Sequence, residues 1–305
     1  MAKKNYPKNS LHPRYWPTWL VIGVLHLGAW LPWKLKIAAG KGLGHLAYHL
    51  ARERRHFTEV NIRLAFSEKS PAEQKQLVKD SFLANGIGIL EVATSLVRDV
   101  SFMQDRVTFK GREYMEEARA KGKGVLVLGV HFSVLDFGGA LHGLFYPGDA
   151  IYKPHKNPVF NRFIQKGREK HYQQLIAQKD LKGLVRRIRQ GHAVWYSPDQ
   201  DFGRKVSVFA PFFGVEAASI TMTARIARMT GAPVLPLRMH RNPDNYTYTL
   251  EYLPPLEDFP SGDDVADATR VNEIIEKMIR VHPEQYLWMH RRFKTRPDPE
   301  DPSYY

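Results

Sequence analysis

The 305-residue chain contains no cysteine, which excludes disulfides, thiolate metal sites and a thioester carried on the protein itself. Any acyl chemistry would need a different nucleophile. A fixed-period repeat and a low-complexity stretch are also missing, so solenoid and disordered architectures are set aside. Asp201-Phe202-Gly203 spells a kinase magnesium motif, yet no glycine-rich nucleotide loop or H-R-D loop accompanies it, and the match reads as chance. A hydrolase holding a metal between His131, Asp136 and His142 lacks the H-E-x-x-H or similar spacing such sites use. Neither a metal nor a cofactor is expected. No small-residue cleavage site follows the N-terminal apolar stretch, which argues against a cleaved signal.

Positive charge is abundant. With 45 Lys and Arg against 31 Asp and Glu the formal net charge is +14, so the natural partners are anionic: nucleic acid, an acidic membrane surface, or acidic proteins and phosphorylated substrates. Hydrophobic residues make up 43%, enough to fill one large domain with appendages or two small ones.

From Tyr15 to Trp33 the sequence carries no formal charge, is bracketed by Arg14 and Lys34, and has Tyr15, Trp16, Trp19, Trp30 and Trp33 at its ends. These 19 residues at helical rise approach the ~30 Å hydrocarbon core, with the aromatics at the two interfaces. Residues 1–33 therefore read as a membrane anchor, with an interfacial helix as the competing geometry because of Pro17, His26 and Pro32. Lys3, Lys4, Lys8 and Arg14 precede it, while Lys34, Lys36, Lys41, Arg52, Arg54 and Arg55 follow, so the positive-inside rule does not orient it. Residues 34–100 read as a helical membrane-proximal region in which basic and apolar residues alternate at helical spacing.

Within that region Ser70-Pro71 caps a long helix running to about Val97. Helix (Glu113 to Ala120), strand (Val125 to Val130), helix (Val134 to Leu144), strand (Ala150 to Tyr152) and helix (Pro158 to Tyr172) follow. Asp180 to Arg189 and Ser219 to Met229 read as helical; His192 to Tyr196, Pro233 to Met239 and Tyr246 to Leu253 read as extended. A helix from about Asp264 to Val281 closes an α/β domain over 101–296, leaving 297–305 as a loose tail.

Gly124-Val-Leu-Val-Leu-Gly-Val130 is apolar at successive positions, rich in β-branched residues and too short for a helix, as a strand covered on both faces of a parallel sheet would be. His131 then lies at its carboxyl end, the edge where open α/β sheets bind ligands. Ser133-Val-Leu-Asp136 reads as a helix start with Ser133 as N-cap and Asp136 at the third helical position, its carboxylate folding back toward the cap and His131. Two readings stand: a general base oriented by a carboxylate, or a helix cap beside an incidental histidine.

Three more clusters carry chemistry. Tyr152-Lys153-Pro-His-Lys-Asn-Pro158, with Arg162, Lys166 and Arg168 beyond it, sets cations after a strand, where they bind phosphates or steady an oxyanion, or simply form an exposed basic helix. Trp195-Tyr-Ser-Pro-Asp199-Gln200-Asp-Phe-Gly-Arg204-Lys205 is a strand running into a charged turn. Pro283-Glu-Gln-Tyr-Leu-Trp-Met-His-Arg-Arg-Phe-Lys-Thr-Arg-Pro297 mixes aromatics with basic side chains, a composition suited to anionic lipid or to a nucleic-acid strand.

Together the HX4D pair of His131 and Asp136, the YSPDQDFGRK turn, the PEQYLWMHRRFKTRP string and the near-terminal LHPRYWPTWL resemble the late acyltransferases of lipid A biosynthesis over nearly the whole chain. The HX4D pair alone is shared with glycerolipid acyltransferases. That resemblance implies a mixed, largely parallel α/β sheet flanked by helices, like that of glycerol-3-phosphate acyltransferase, preceded by an N-terminal membrane helix in the inner membrane. The active domain would face the cytoplasm. It implies transfer of a fatty acyl chain, in the manner of a lauroyltransferase, from acyl carrier protein to a hydroxyl of a 3-hydroxyacyl chain on a Kdo-bearing lipid A precursor. His131 carries over as base, Asp136 as its partner, and Arg168 as a further catalytic residue. Lys153, Asp199, Gln200 and Arg204 are the expected substrate-binding residues. A lysophospholipid acyltransferase is the alternative in the same class, and a basic membrane-associated nucleic-acid binder the alternative from another.

Overall fold

The computed structural model describes residues 6–243 and 247–305, so Lys3, Lys4 and Tyr246 lie outside it. Four helices precede the first strand: α1 (Trp16–Trp30), α2 (Trp33–Leu50), α3 (Arg52–Ala65) and α4 (Pro71–Val97). Pro32 separates α1 from α2, since a proline nitrogen cannot continue the helical ladder. In α4 the Ser70 hydroxyl accepts from the Glu73 N–H while the Glu73 carboxylate accepts from the Ser70 N–H, a reciprocal capping box with Pro71 at the first helical position. Its bounds are those the sequence predicts.

The α/β part follows as β1 (Val107–Lys110), α5 (Arg112–Ala120), β2 (Val125–Leu128), α6 (Leu135–Gly143), β3 (Asp149–Tyr152) and α7 (Pro158–Arg168). Then come β4 (Leu175–Ala177), α8 (Leu181–Arg189), β5 (Ala193–Tyr196), β6 (Ser207–Phe212), β7 (Val215–Ile220), α9 (Met222–Thr230), β8 (Val234–Arg241), β9 (Tyr248–Tyr252) and α10 (Asp264–Val281). Seven strands form one sheet in the order β1-β9-β8-β2-β5-β3-β4, and β6 pairs with β7 in a separate hairpin. Every pairing in the large sheet is parallel except β8 with β9. The expected α/β class therefore holds. β2, at the centre, is buried at all four positions, as a strand covered on both faces must be.

Several local expectations change. β1, β4 and the β6–β7 hairpin are additions to the sequence reading, and Ser219 belongs to β7 rather than to the following helix. α7 ends at Arg168 instead of Tyr172. Residues 297–305 are docked rather than loose: the Tyr305 hydroxyl accepts from the Phe293 N–H at 3.0 Å and donates to the Asn61 side chain, and the Arg296 guanidinium stands 3.8 Å from the centre of the Tyr304 ring.

α1 is 15 residues long, which at helical rise is about 22 Å. Ile22 on its buried side, with Tyr15 just before it, packs on Leu96 of α4 and on Val159 and Phe163 of α7, forming a small core separate from the main one. Among the described residues the helix long and apolar enough to cross a membrane is α4, and 67% of its apolar window is buried inside the protein. α4 also carries the buried Glu91, whose carboxylate accepts from Arg241 at 2.7 Å, so it is the central helix of the fold.

Candidate active site

His131 lies three residues beyond the end of β2, and Asp199 three residues beyond the end of β5. The two strands are parallel neighbours with Leu128 opposite Tyr196, so the two residues emerge side by side at the carboxyl edge of the sheet. The Gly129 N–H extends the pairing to the Tyr196 carbonyl at 2.8 Å. A glycine is required there, because a Cβ would stand 2.2 Å from the Trp195 indole nitrogen.

The imidazole Nδ1 is 2.7 Å from one Asp199 carboxylate oxygen and 2.8 Å from the Ser197 hydroxyl. The other Asp199 oxygen accepts from the His131 backbone N–H at 3.0 Å. One carboxylate thus fixes both the ring and the main chain of the residue it serves. Its side chain has no exposed surface, whereas a quarter of the His131 side chain is exposed. Burial opposes protonation of the imidazole, but the adjacent Asp199 anion outweighs it, so His131 holds its proton above the ordinary imidazole value. Burial likewise opposes ionisation of Asp199, and His131 with the hydrogen bonds from Ser197 and the His131 N–H overrides it, holding the carboxyl well below its usual range.

Asp136, the expected partner of His131, is engaged elsewhere. Arg168, the last residue of α7, donates from Nε and Nη2 to its two oxygens at 2.7 and 2.9 Å, a bidentate grip. No hydrogen bond joins Asp136 to His131 among the described residues. Nor does Ser133 cap the helix. α6 begins at Leu135 with Val134 as its N-cap, Asp136 is the second helical residue, and the buried Ser133 hydroxyl has no hydrogen-bond partner. The S-x-x-D spacing resembled a cap, but the chain after His131 is pinned from outside and enters the helix one residue late. Burial disfavours the charge on Arg168, and Asp136 more than compensates, so its pKa is raised.

The pinning comes from the C-terminal string. Leu287 donates its N–H to the His131 carbonyl at 2.9 Å, Ser133 donates to the Gln285 carbonyl at 2.6 Å, and Phe132 forms a bridge with Tyr286. The Tyr286 hydroxyl donates to the Asp199 carbonyl at 3.2 Å. Trp288 is fully buried. Arg292 donates to the Ala218 carbonyl at 2.8 Å and lies over the Phe212 ring. Within a composition that suggested lipid or nucleic-acid contact, Gln285, Tyr286, Trp288, Arg292 and Phe293 are buried and form a strap behind the histidine, while His290, Arg291 and Lys294 stay exposed.

Two cavities meet at His131. The first, about 560 Å³, is walled by α1, α4 and α7 through Leu25, Ile89, Val92, Phe160 and Ile164, with Asp136 and Arg168 also in its lining. The second, about 280 Å³, runs toward α8 and α9 between Ile176, Leu181, Leu184, Met222 and Ile226. His131, Tyr152, Lys153 and Trp195 line both.

Of the residues expected to bind substrate, Lys153 is exposed at the shared rim and Gln200 lines the second cavity, its amide 3.3 Å from the His290 ring. Asp199 is not a substrate contact on its carboxylate side, because that group lies buried beneath His131. Arg204 lines neither cavity and donates to the Arg296 and Pro297 carbonyls, which makes it a tie between the turn and the tail. Asp201 accepts from the Thr295 N–H and hydroxyl, a structural role in keeping with a chance kinase match. His142 is hydrogen-bonded to the Tyr252 hydroxyl in the core, where burial pulls its pKa down to about 4. Sequence reading did not single out Ser197, Trp195 or Tyr286. For Ser197 the signal was present, since it follows a strand end as His131 does.

A family model described as bacterial lipid A biosynthesis acyltransferase matches residues 3–295. The chain is 39% identical to the lipid A biosynthesis lauroyltransferase of Escherichia coli K12 over 96% of its own length and 97% of the relative's. It is 37% identical to the palmitoleoyltransferase of the same organism, covering 98% of each, and 30% identical to its myristoyltransferase, covering 95% and 91%. With a histidine at a strand end between two apolar cavities and this similarity along nearly its whole length, the chain belongs to the bacterial lipid A biosynthesis acyltransferases and is an acyltransferase.

Proposed function

We propose that the protein moves a fatty acyl chain, lauroyl in the first instance, from acyl carrier protein to a hydroxyl of a 3-hydroxyacyl chain on a Kdo-bearing lipid A precursor. The observation that carries this reading is the position of His131 at the junction of two apolar cavities. A reaction joining two long chains needs two apolar channels and one proton acceptor where they meet.

With Nδ1 tied to Asp199, the imidazole is left with Nε2 for the substrate hydroxyl. The hydroxyl oxygen attacks the thioester carbon as Nε2 takes its proton, forming a tetrahedral oxyanion. Collapse of that oxyanion breaks the carbon–sulfur bond, and the imidazolium returns the proton to the departing thiolate. A general base of this kind contributes roughly 10²–10⁴-fold. Asp199 orients the ring and stabilises the imidazolium. The Asp136–Arg168 pair lines the first cavity together with His131, placed to present a guanidinium N–H to the oxyanion. Because the thioester is already activated, the step uses no cofactor and no covalent enzyme intermediate, and Ser133 plays no nucleophilic part.

The charge of +14 suits three anionic partners: acyl carrier protein, the phosphates and Kdo carboxylates of the acceptor, and the cytoplasmic face of the inner membrane. The test incubates membranes with the Kdo-bearing precursor and a panel of acyl carrier protein thioesters, then weighs the product. Wild type adds one acyl chain, and His131→Ala at equal expression adds almost none. Equal product from both removes His131 as the base, and an acyl group recovered on Ser133 removes direct transfer.

A further inference from the structure

The N-terminal helices leave apolar surface uncovered in an ordered way. On α1 the exposed residues Trp16, Leu20, Val24 and Leu27 are 64, 71, 58 and 75% accessible, and their spacing of three or four places them on one stripe. On α2, Leu43, Leu46 and Leu50 repeat the pattern at 41, 54 and 71%. Soluble surfaces scatter such residues singly; contiguous stripes mark contact with an apolar partner. No acidic residue precedes Glu53, whereas Arg14, Lys34 and Lys41 flank the stripes and are exposed. Apolar side chains bordered only by cations match the boundary between the headgroups and acyl chains of an anionic leaflet.

Geometry distinguishes lying in that leaflet from crossing it. α1 is held along its length by α2, α4 and α7. The Asn157 amide at the start of α7 donates to the Thr18 hydroxyl at 2.8 Å, Ile22 packs on α4 and α7, and the buried Lys36 ammonium donates to the Ala29 carbonyl at 3.1 Å. A helix so held, and about 22 Å long, is too short for the ~30 Å core. It could span only by drawing the sheet and its charged loops into the hydrocarbon.

The same three helices wall the larger cavity. Ile89 of α4 is half exposed and lines that cavity, as do Leu25 of α1 and Phe160 and Ile164 of α7. His131 lines it too and is shared with the second cavity.

We propose that α1 and α2 lie in the plane of one anionic leaflet without crossing it, and that the gap between α1, α4 and α7 is a lateral portal through which an acyl chain of the acceptor passes from that leaflet to His131. The portal's cargo rests on the lipid-acceptor reading above; the seat of the helices does not.

Because the chain has no cysteine, single-cysteine variants report one position each. Ser10→Cys and Lys34→Cys flank α1. A membrane-impermeant maleimide should label both in inside-out inner-membrane vesicles and neither in spheroplasts, whereas labelling of the two from opposite sides overturns the in-plane seat. Bimane attached at Leu20→Cys, Leu46→Cys and Ile89→Cys of the full chain is then read in phosphatidylglycerol-containing vesicles bearing doxyl groups near the headgroup end of the acyl chains. All three should lose most of their fluorescence, and a probe at Val281→Cys, exposed on α10, should lose none. Quenching at Leu20 and Leu46 without quenching at Ile89 overturns the portal. None of these readings involves acyl transfer, so they stand or fall separately from the acyltransfer assay.

Discussion

The two sides of His131 are built on opposite principles. On the β5 side a carboxylate with no exposed surface touches the ring and its main chain at 2.7 and 3.0 Å. On the α6–α7 side a carboxylate about one-fifth exposed turns away from the ring and chelates Arg168. Both aspartates raise the imidazole's proton affinity, Asp199 the more strongly. Low dielectric and direct contact make Asp199 an orienting group. Partial solvation and a bidentate cation make Asp136 a holder of the guanidinium. Spacing in sequence pointed to Asp136 as the partner of the ring, whereas the carboxylate in hydrogen-bond contact with it is Asp199.

The comparison is broken most directly at Asp199. Asp199→Asn should lower kcat/KM on the order of 10³-fold and should also move the pH profile. The base must be neutral to act, and its raised pKa places the acid limb of the wild-type profile above the ordinary imidazole value of 6.5. Without the anion, burial dominates and the limb moves below 6.5. An unmoved limb in a folded variant would falsify the assignment of Asp199 as the orienting carboxylate.

Next in size is Arg168→Ala, for which single-turnover rates should fall about 10²-fold. Asp136→Ala and the double variant complete a cycle with a coupling of about 0.5–3 kcal/mol, because each residue acts through the other. Strict additivity of the two losses would show that Asp136 acts on His131 directly. A smaller change tests the cavity on the β5 side: Leu184→Trp should shift donor preference toward shorter acyl chains by about tenfold, read as the mass of the product from a mixed panel. If the preference stays put, that cavity does not hold the donor chain. Least affected is Arg204→Ala, whose side chain reaches the tail carbonyls and the Phe209 ring but neither cavity. Unfolding stability should stay within about 0.5 kcal/mol with activity unchanged, and loss of acceptor binding would return Arg204 to the site.

Local signals made much of this fold legible. Ser70 and Pro71 mark the start of α4 and the continuous apolar run marks β2, and the structure adds Glu73 to the first cap and Asp263 as the cap of α10. What sequence did not reveal is non-local or atypical. β1 and β4 are four and three residues long, too short for a period to register. The β6–β7 hairpin turns through Phe213 and Gly214, both at positive φ, and a phenylalanine at that position hides the Asn-Gly or Asp-Gly signature such turns usually carry. The pairing of His131 with Asp199 depends on β2 and β5 being neighbours, although β3 and β4 lie between them in sequence. The C-terminal string looked like surface because of its arginines, yet Arg292 is buried over Phe212 with carbonyl partners.

The strap from Gln285 to Leu287 that fixes the His131 loop also sets an order of events during synthesis. α1 and α2 leave the ribosome before the strap does, and a contact between such distant parts of a chain forms late. The loop that carries His131 is therefore held only once the strap has been made and has docked, so the imidazole takes up its working position after the helices and strands around it.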